Sequence, residues 1–440
     1  MNTKLFFEIA RAEGVEQSQL FVSKSKKLSF SLFHHEIDSF HIAETQGITA
    51  MGIYKGKLGS SSTESGGRSN FEYLVKNIKE TASLIEKDSI GDLFKGSEKY
   101  HKRNIYDKRL EEIPTEEKIA LLKEIEKDLF AADPRITEVA GLEYEESFSA
   151  KEFHNSFGVK LSEKSNYFVI VAEVVAKQGE ETKVGVEIDF GTDLKAFNKQ
   201  KFVQKAVKNA IDKFGGTACP SAKYPTVLDR TIVSALLSYY LSSASAEEVQ
   251  KKSSLFEGKL GQKIASSKLT VWERPLAKNI FFTYFDDEGV ATQNKTVIDK
   301  GVLKTYFHNR ETAKKDGVES TGNASWGGGK FGIGFLNVFV KGGKKSFDEM
   351  IAPIKLGVYI NDIAGLGTGM NPASGDFSCQ AEGFMIRDGK LAEPLNLITL
   401  SGNLMKMFDS IRDLDNRVEL QVSATSCPDL YIKSMNIGGK

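Results

Sequence analysis

The feature that most constrains this chain is the series of short apolar runs closed by glycine that fills its second half. From residue 268 onward, runs such as 281–285 and 335–340 are followed by Asp286, Asp287, Glu288 and Gly289, or by Gly342 and Gly343. Runs this brief suit strands better than packed helices, and glycine supplies the backbone freedom that tight turns need. With 39 glycines and only 9 prolines, frequent turns are expected and proline-rich linkers are not. Residues 220–440 are therefore expected to form a mainly antiparallel β domain, a sandwich or a barrel.

The first half is mixed. Leu20, Val22, Leu28, Phe30 and Leu32 fall at even spacings with Ser or Lys at alternate places, as a half-buried strand requires. Gly56 between two lysines predicts a hairpin turn, and residues 70–87 carry helical spacing (Phe71, Leu74, Val75, Ile78, Ala82, Ile85). Residues 88–113 read as a polar linker. Thr115 is expected to cap a helix through Ile119, Leu122, Ile125 and Leu129, closed by Pro134. Strands are expected at 136–149 and 156–189, and a helix at 198–214 that stops at Gly215 and Gly216. Thr226 and Asp229 fit a capping signature, predicting a helix that runs through Val227, Leu228, Ile232, Leu236 and Tyr239. The expected fold is α+β: N-terminal (1–90) and middle (110–218) α/β units, then the β-rich domain 220–440. A length of 440 residues accommodates two or three domains.

Charge and hydropathy narrow the function classes. Lys+Arg and Asp+Glu are both 59, a balance that argues against a broad basic face for nucleic acid. Glu8, Arg11 and Glu13 interrupt the N-terminus where a secretory signal would need an apolar core. The strongest apolar run, 167–172, ends at Glu173, far short of a membrane span. A cytoplasmic protein with reduced cysteines is expected, with no membrane partner and no direct nucleic-acid partner.

Most candidate constellations fail on geometry. His35 and His41 flank Glu36, but six residues on a helix leave the rings about 120° apart around the axis. On a strand they share a face about 20 Å apart. Neither arrangement closes on one zinc. Cys219, Cys379 and Cys427 lack metal-ligand spacing and are read as buried small hydrophobes. Gly329 and Lys330 are followed by Phe331, where a phosphate loop needs Ser or Thr, and Gly365, Gly367 and Gly369 are followed by Met370 and Pro372. Both stretches are read as turns. Asp286, Asp287 and Glu288 are read as a charged hairpin tip. Asp362 and Asp376 flank the 365–375 loop beside Ser378, a pairing able to contact a ligand.

Several longer motifs follow one another in order: 224–237, 253–262, 285–292, 298–303, 320–324, 368–378, 381–386, 398–403 and 436–439. The ordered set resembles the TldD/PmbA family, also called modulators of DNA gyrase or peptide-maturation proteins. The resemblance covers nearly the whole chain. It implies a cytoplasmic peptidase system that cleaves small or unfolded peptides, in which TldD-type members carry H-E-x-x-x-H on the helix opening the C-terminal domain and C-G-K-x-G-Q near the C-terminus. In this chain the first segment reads from Ser234 to Ser243 with hydroxyls and aromatic rings, and the second reads from Gln421 to Pro428 without the motif. The departures point to the PmbA/TldE-like branch: a non-zinc subunit with no cofactor of its own and zinc in a TldD-type partner. It would form a heteromer with that paralogue, or a homodimer, and shape a peptide channel. Gly365, Thr368, Gly369, Asp376, Phe377 and Ser378 are the expected peptide-contacting residues, at the rim of strand edges that accept an extended peptide. The alternatives are a peptidase active through its own unrecognised site, or a regulatory binding protein acting on a toxin/antitoxin–gyrase system.

Overall fold

The computed structural model describes residues 1–85 and 92–440. The first half is built on one six-stranded sheet. Helix α1 (Thr3–Ala12) precedes strands β1 (Gln17–Phe33), β2 (Glu36–Tyr54) and β3 (Lys57–Thr63), then helix α2 (Arg68–Leu84). Residues 86 and 87 of the expected helix and 88–91 of the expected linker lie outside the described residues. After α3 (Lys108–Glu112) come α4 (Thr115–Ala132), β4 (Ile136–Asn155), β5 (Lys160–Gln178), β6 (Glu181–Gly191) and α5 (Lys199–Ile211). The strand order is β3-β2-β1-β4-β5-β6. Because β1 pairs with β4 from Gln19↔Asn155 to Leu32↔Leu142, strands from 1–90 and from 110–218 share one sheet.

The local chemistry explains these elements. Lys55 and Gly56 both have positive φ, 51° and 73°, so β2 and β3 join through a two-residue turn whose twist matches the strands. Helices cover one face of the sheet. Phe6, Phe71, Leu74 and Ile78 pack on Leu20, Val22 and Ile48, while Leu122, Ile125, Leu129 and Phe202 pack on Phe30, Leu142 and Ile170. Thr115 does not cap α4. Pro114 holds that position with extended ψ and Thr115 is the first helical residue; Glu116 and Glu117 in the first turn complement the helix dipole instead.

The second half closes into a barrel. Strand β7 (Ala222–Leu228) pairs in parallel with Leu356–Ala364, which continues antiparallel to Asp376–Arg387 and Lys390–Asn403. Leu430–Gly438 pairs with β7 on one side and, through Thr399–Ser401, with Lys390–Asn403 on the other, completing five strands. Helix α6 (Arg230–Ser242) shares one hydrophobic core with this barrel, joining Ile232, Leu236 and Tyr240 to Val358, Ile360, Leu400 and Ile432. A second sheet of short strands, including Val271–Glu273, Val338–Val340 and Thr425–Cys427, flanks it. The mixed fold with a β-barrel C-terminal region matches the expected class.

Two local expectations change. Residues 226–228 belong to a strand, not to the start of a helix; α6 begins after Asp229, whose carboxylate accepts the Thr231 N–H at 2.8 Å. The 224–228 run is buried on both faces, so period alone cannot separate strand from helix. The 281–285 run forms no strand. Its aromatic residues Phe282, Tyr284 and Phe285 fill a small core against Phe153 and Leu161 of the first sheet. Among the described residues, no helix is long and apolar enough to cross a membrane.

Candidate functional site

Helix α6 and the 421–427 segment, the two places where the resemblance locates zinc ligands, lie against each other. The Ser234 and Ser423 hydroxyls hydrogen-bond to one another across the contact. Ser238 Oγ turns back to the Ser234 carbonyl at 2.9 Å, and Ser242 Oγ to the Tyr239 carbonyl at 2.7 Å. Tyr240 is buried, stacked on Phe408 with centroids 4.3 Å apart and donating to the Ile264 carbonyl at 2.6 Å. Cys427 is fully buried, and its Sγ donates to the Arg230 carbonyl at 3.2 Å. Burial pushes this thiol well above its ordinary range, so it stays protonated. Zinc favours thiolate, imidazole and carboxylate donors. Paired serines, a buried tyrosine and a protonated thiol do not fit it. Among the described residues no group of three or more His, Cys, Asp or Glu could hold a metal.

What the first turn of α6 does hold is charge. Arg230, 4% exposed, donates from its backbone N–H and its Nε to Asp429 Oδ1 at 3.0 and 2.9 Å. Its Nη1 lies 3.2 Å from Glu419 and its Nη2 3.7 Å from Asp415. Asp229 accepts the Tyr359 hydroxyl at 2.9 Å. Burial, then the neighbouring Asp229 charge, pushes the Asp429 carboxyl up to about 6 although Arg230 opposes the shift. Asp415 and Asp429 also line a cleft of about 660 Å³ between α5 and the outer wall of the barrel. Sequence reasoning missed this cluster. Arg230, Asp415 and Asp429 form no motif, and only burial of the 415–429 stretch against α6 brings them together.

The expected peptide-contacting residues sit elsewhere. Gly365 adopts a left-handed φ of 77° to start the short helical turn Leu366–Gly369, and Thr368 Oγ donates to its carbonyl at 3.1 Å. A Cβ on Gly369 would stand 1.9 Å from the Ser378 carbonyl oxygen, so the loop lies directly on the 376–387 strand. Asp376 accepts from Asn403 Nδ2 at 2.9 Å. Asp376 and Ser378 are exposed, whereas Phe377 is buried against Gly402 in the barrel core. None of the six lines the cleft. Asp362 binds Lys213 of the α5 end at 3.0 Å.

Other candidates resolve plainly. His34 and His35 form the β1–β2 turn with φ of 50° and 65°, His35 Nδ1 lies 2.7 Å from Glu126, and His41 alone of these three is on a strand. Gly328 and Gly329 turn a hairpin between Ala324–Gly327 and Lys330–Ile333. All three cysteines are buried. The 286–288 cluster is not a solvated tip. Asp286 and Glu288 are both 3% exposed, Asp286 accepts three backbone N–H bonds, and Asp287 accepts that of Trp326 at 2.8 Å.

Comparison with known proteins agrees with this architecture. Residues 221–439 match the PmbA/TldA metallopeptidase C-terminal domain and residues 108–214 the central domain of the same family. A metalloprotease PmbA homolog of Buchnera aphidicola is 26% identical over 96% of this chain and 93% of its own length. The metalloprotease PmbA of Escherichia coli O157:H7 is 25% identical over 75% and 71%. The crystal structure of a candidate modulator of a DNA gyrase from Thermotoga maritima superposes with a TM-score of 0.92 at 27% identity, covering 99% of each chain. TldE from Thermococcus kodakarensis shares the fold at a TM-score of 0.90 and 22% identity, covering 99% of this chain and all of its own. On these matches, and on the barrel that carries them, the chain belongs to the PmbA/TldD family.

Proposed function

We propose that this chain is the non-zinc, PmbA/TldE-like subunit of a cytoplasmic metallopeptidase complex that degrades or matures small unfolded peptides beside a zinc-bearing TldD-type partner. The observation that carries the reading is the crossing of α6 with 421–427, where Ser234 bonds Ser423 in place of any ligand set. A zinc hydrolase needs a metal to polarise carbonyl and water and a carboxylate to take the proton. At that crossing the residues offer neither a ligand set suited to that metal nor a carboxylate placed to take the proton. The chain's contribution is then to bind and confine peptide. Among the described residues, closure of the barrel leaves residues 390–398 paired with the 376–387 strand alone and bridged by Thr217, an edge that suits β-addition of an extended peptide. The exposed Gly365, Thr368, Asp376 and Ser378 form a second rim, with Gly369 and Phe377 fixing the loop from beneath.

The test mixes the purified chain with its zinc-bearing relative and zinc, and follows hydrolysis of an unstructured peptide alongside size-exclusion chromatography. A shared peak and higher activity in the mixture are expected. Full activity of the relative alone, with no shared peak, overturns the proposal.

A further inference from the structure

The cleft between α5 and the barrel has the size of a ligand pocket, about 660 Å³ against roughly 300–1,000 Å³ for typical sites. Its barrel wall is apolar and aromatic: Tyr359 and Phe384 are register partners on adjacent strands, Phe347 meets Tyr359 edge-on at 5.1 Å, and Leu391 stands 43% exposed. The opposite wall carries lysines, but each is committed. Lys205 binds Glu187, Lys208 binds Asp212, and Lys213 binds both Asp362 and Glu382.

The floor has the opposite balance. Asp415, Asp429 and Arg417 line it, and behind them Arg230, whose Nη2 has no hydrogen-bond partner among the described residues, lies among Asp229, Asp415, Asp429 and Glu419, so four carboxylates face two guanidinium groups. Asp429 is 1% exposed and lines the cleft; its Oδ1 takes both Arg230 bonds, while its Oδ2 accepts no hydrogen bond from any described residue. At the mouth, Asp348 has no ion pair or side-chain hydrogen bond among the described residues, and the Asn361 amide likewise has no hydrogen-bond partner among them. An anion entering here meets uncompensated carboxylate. A cation meets a nearly desolvated one, together with aromatic faces that attract positive charge.

We propose that this cleft binds a basic side chain of a peptide, arginine or lysine, next to an apolar residue that packs on Tyr359, Phe384 and Leu391. The inference rests on the reading that the chain handles peptides, and it adds which peptides are held. Binding is measured by titration calorimetry on the full chain alone, without partner or hydrolysis, so its failure leaves the subunit role to the mixing test. The probes are N-acetyl-Arg-Phe-amide, its citrulline isostere, N-acetyl-Glu-Phe-amide and spermidine.

One-to-one binding of the arginine probe is expected, with the citrulline and glutamate probes and spermidine each at least about tenfold weaker. Leu391→Lys puts a positive charge at an exposed position of the mouth and weakens the arginine probe about tenfold, and Asp348→Asn weakens it about threefold. Both positions are on the surface, and circular dichroism verifies the fold of each variant. Absence of binding, equal binding of the citrulline probe, tighter binding of the glutamate probe, or unchanged affinity in both variants overturns the proposal. Spermidine binding as tightly as the arginine probe overturns the peptide assignment.

Discussion

Replacing Asp286 by Asn isolates the energetics of the buried carboxylates in the 286–288 turn. Asp286 Oδ1 accepts the N–H groups of Glu288 and Val290 at 3.0 and 2.9 Å, and Oδ2 accepts that of Ala324 at 2.9 Å. Nearby, the Tyr100 hydroxyl donates to the Gly289 carbonyl at 2.7 Å, tying the 92–107 segment to the same turn. Burial, then repulsion from Glu288, pushes the Asp286 carboxyl up to about 8, outweighing the backbone donors that favour the charged form. The native state thus keeps a proton that the unfolded chain releases near pH 4. The stability tied to that proton is complete below the unfolded value and is lost as pH rises through about 8.

Asparagine conserves shape but turns an amide N–H toward one of the three donors, at a cost of about 1–3 kcal/mol for the lost acceptor. In urea unfolding at pH 5 the variant is therefore less stable than the parent by about that amount. Between pH 5 and pH 8 the gap narrows by at most about 1.4 kcal/mol per unit, because only the parent loses the proton-linked term. Glu288, pushed up to about 7 by burial, is present in both proteins and cancels to first order. A gap that stays constant between pH 5 and pH 8 would refute the reasoning. It would mean that the three N–H donors win over burial and hold the carboxyl at or below its usual range, so that native and unfolded states are both ionised across that interval.

Arg230→Met leaves Asp415 and Asp429 buried without their cation and is expected to cost about 3–5 kcal/mol in thermal or urea unfolding. Arg230→Lys recovers little, because an ammonium cannot reproduce the fork that meets Asp429, Asp415 and Glu419 together. Gly369→Ala is expected to cost about 1–3 kcal/mol by driving Cβ into the Ser378 carbonyl, while Gly367→Ala, with nothing within 4 Å, stays within about 0.5 kcal/mol. Iodoacetamide is expected to label none of the three buried cysteines in the native protein and all of them in urea, as mass spectrometry reports; rapid native labelling of Cys427 would contradict its protonated, buried state.

The parts of the fold legible from sequence were those set by local pattern. The alternation through Leu28, Phe30 and Leu32 marks β1 because one sheet face is solvated there, and the 3.6-residue spacing of Leu122, Ile125 and Leu129 marks α4 because that helix covers the other face. Where burial comes from distant chain, the pattern misleads. Asp286, Asp287 and Glu288 look like a solvated turn until the Ala324–Gly327 strand and the Arg310 N–H close over them. The 281–285 aromatics look like a strand but pack as wedges on Phe153 and Leu161 of the first sheet. The closing pairs Thr399–Ser401 with Asn436–Gly438, and the meeting of Arg230 with Asp415 and Asp429, join segments almost two hundred residues apart or pair short stretches that no local pattern encodes. The departures from the zinc motifs were legible residue by residue. That Ser234 and Ser423 occupy one contact required the fold.

The most direct test of the subunit assignment is the zinc content of three samples purified without chelator: this chain, its TldD-type relative, and the complex recovered from size-exclusion chromatography. The assignment predicts zinc in the relative and in the complex at one ion per relative, with far less than one equivalent in this chain alone. One tightly held zinc per chain in this protein by itself would contradict it.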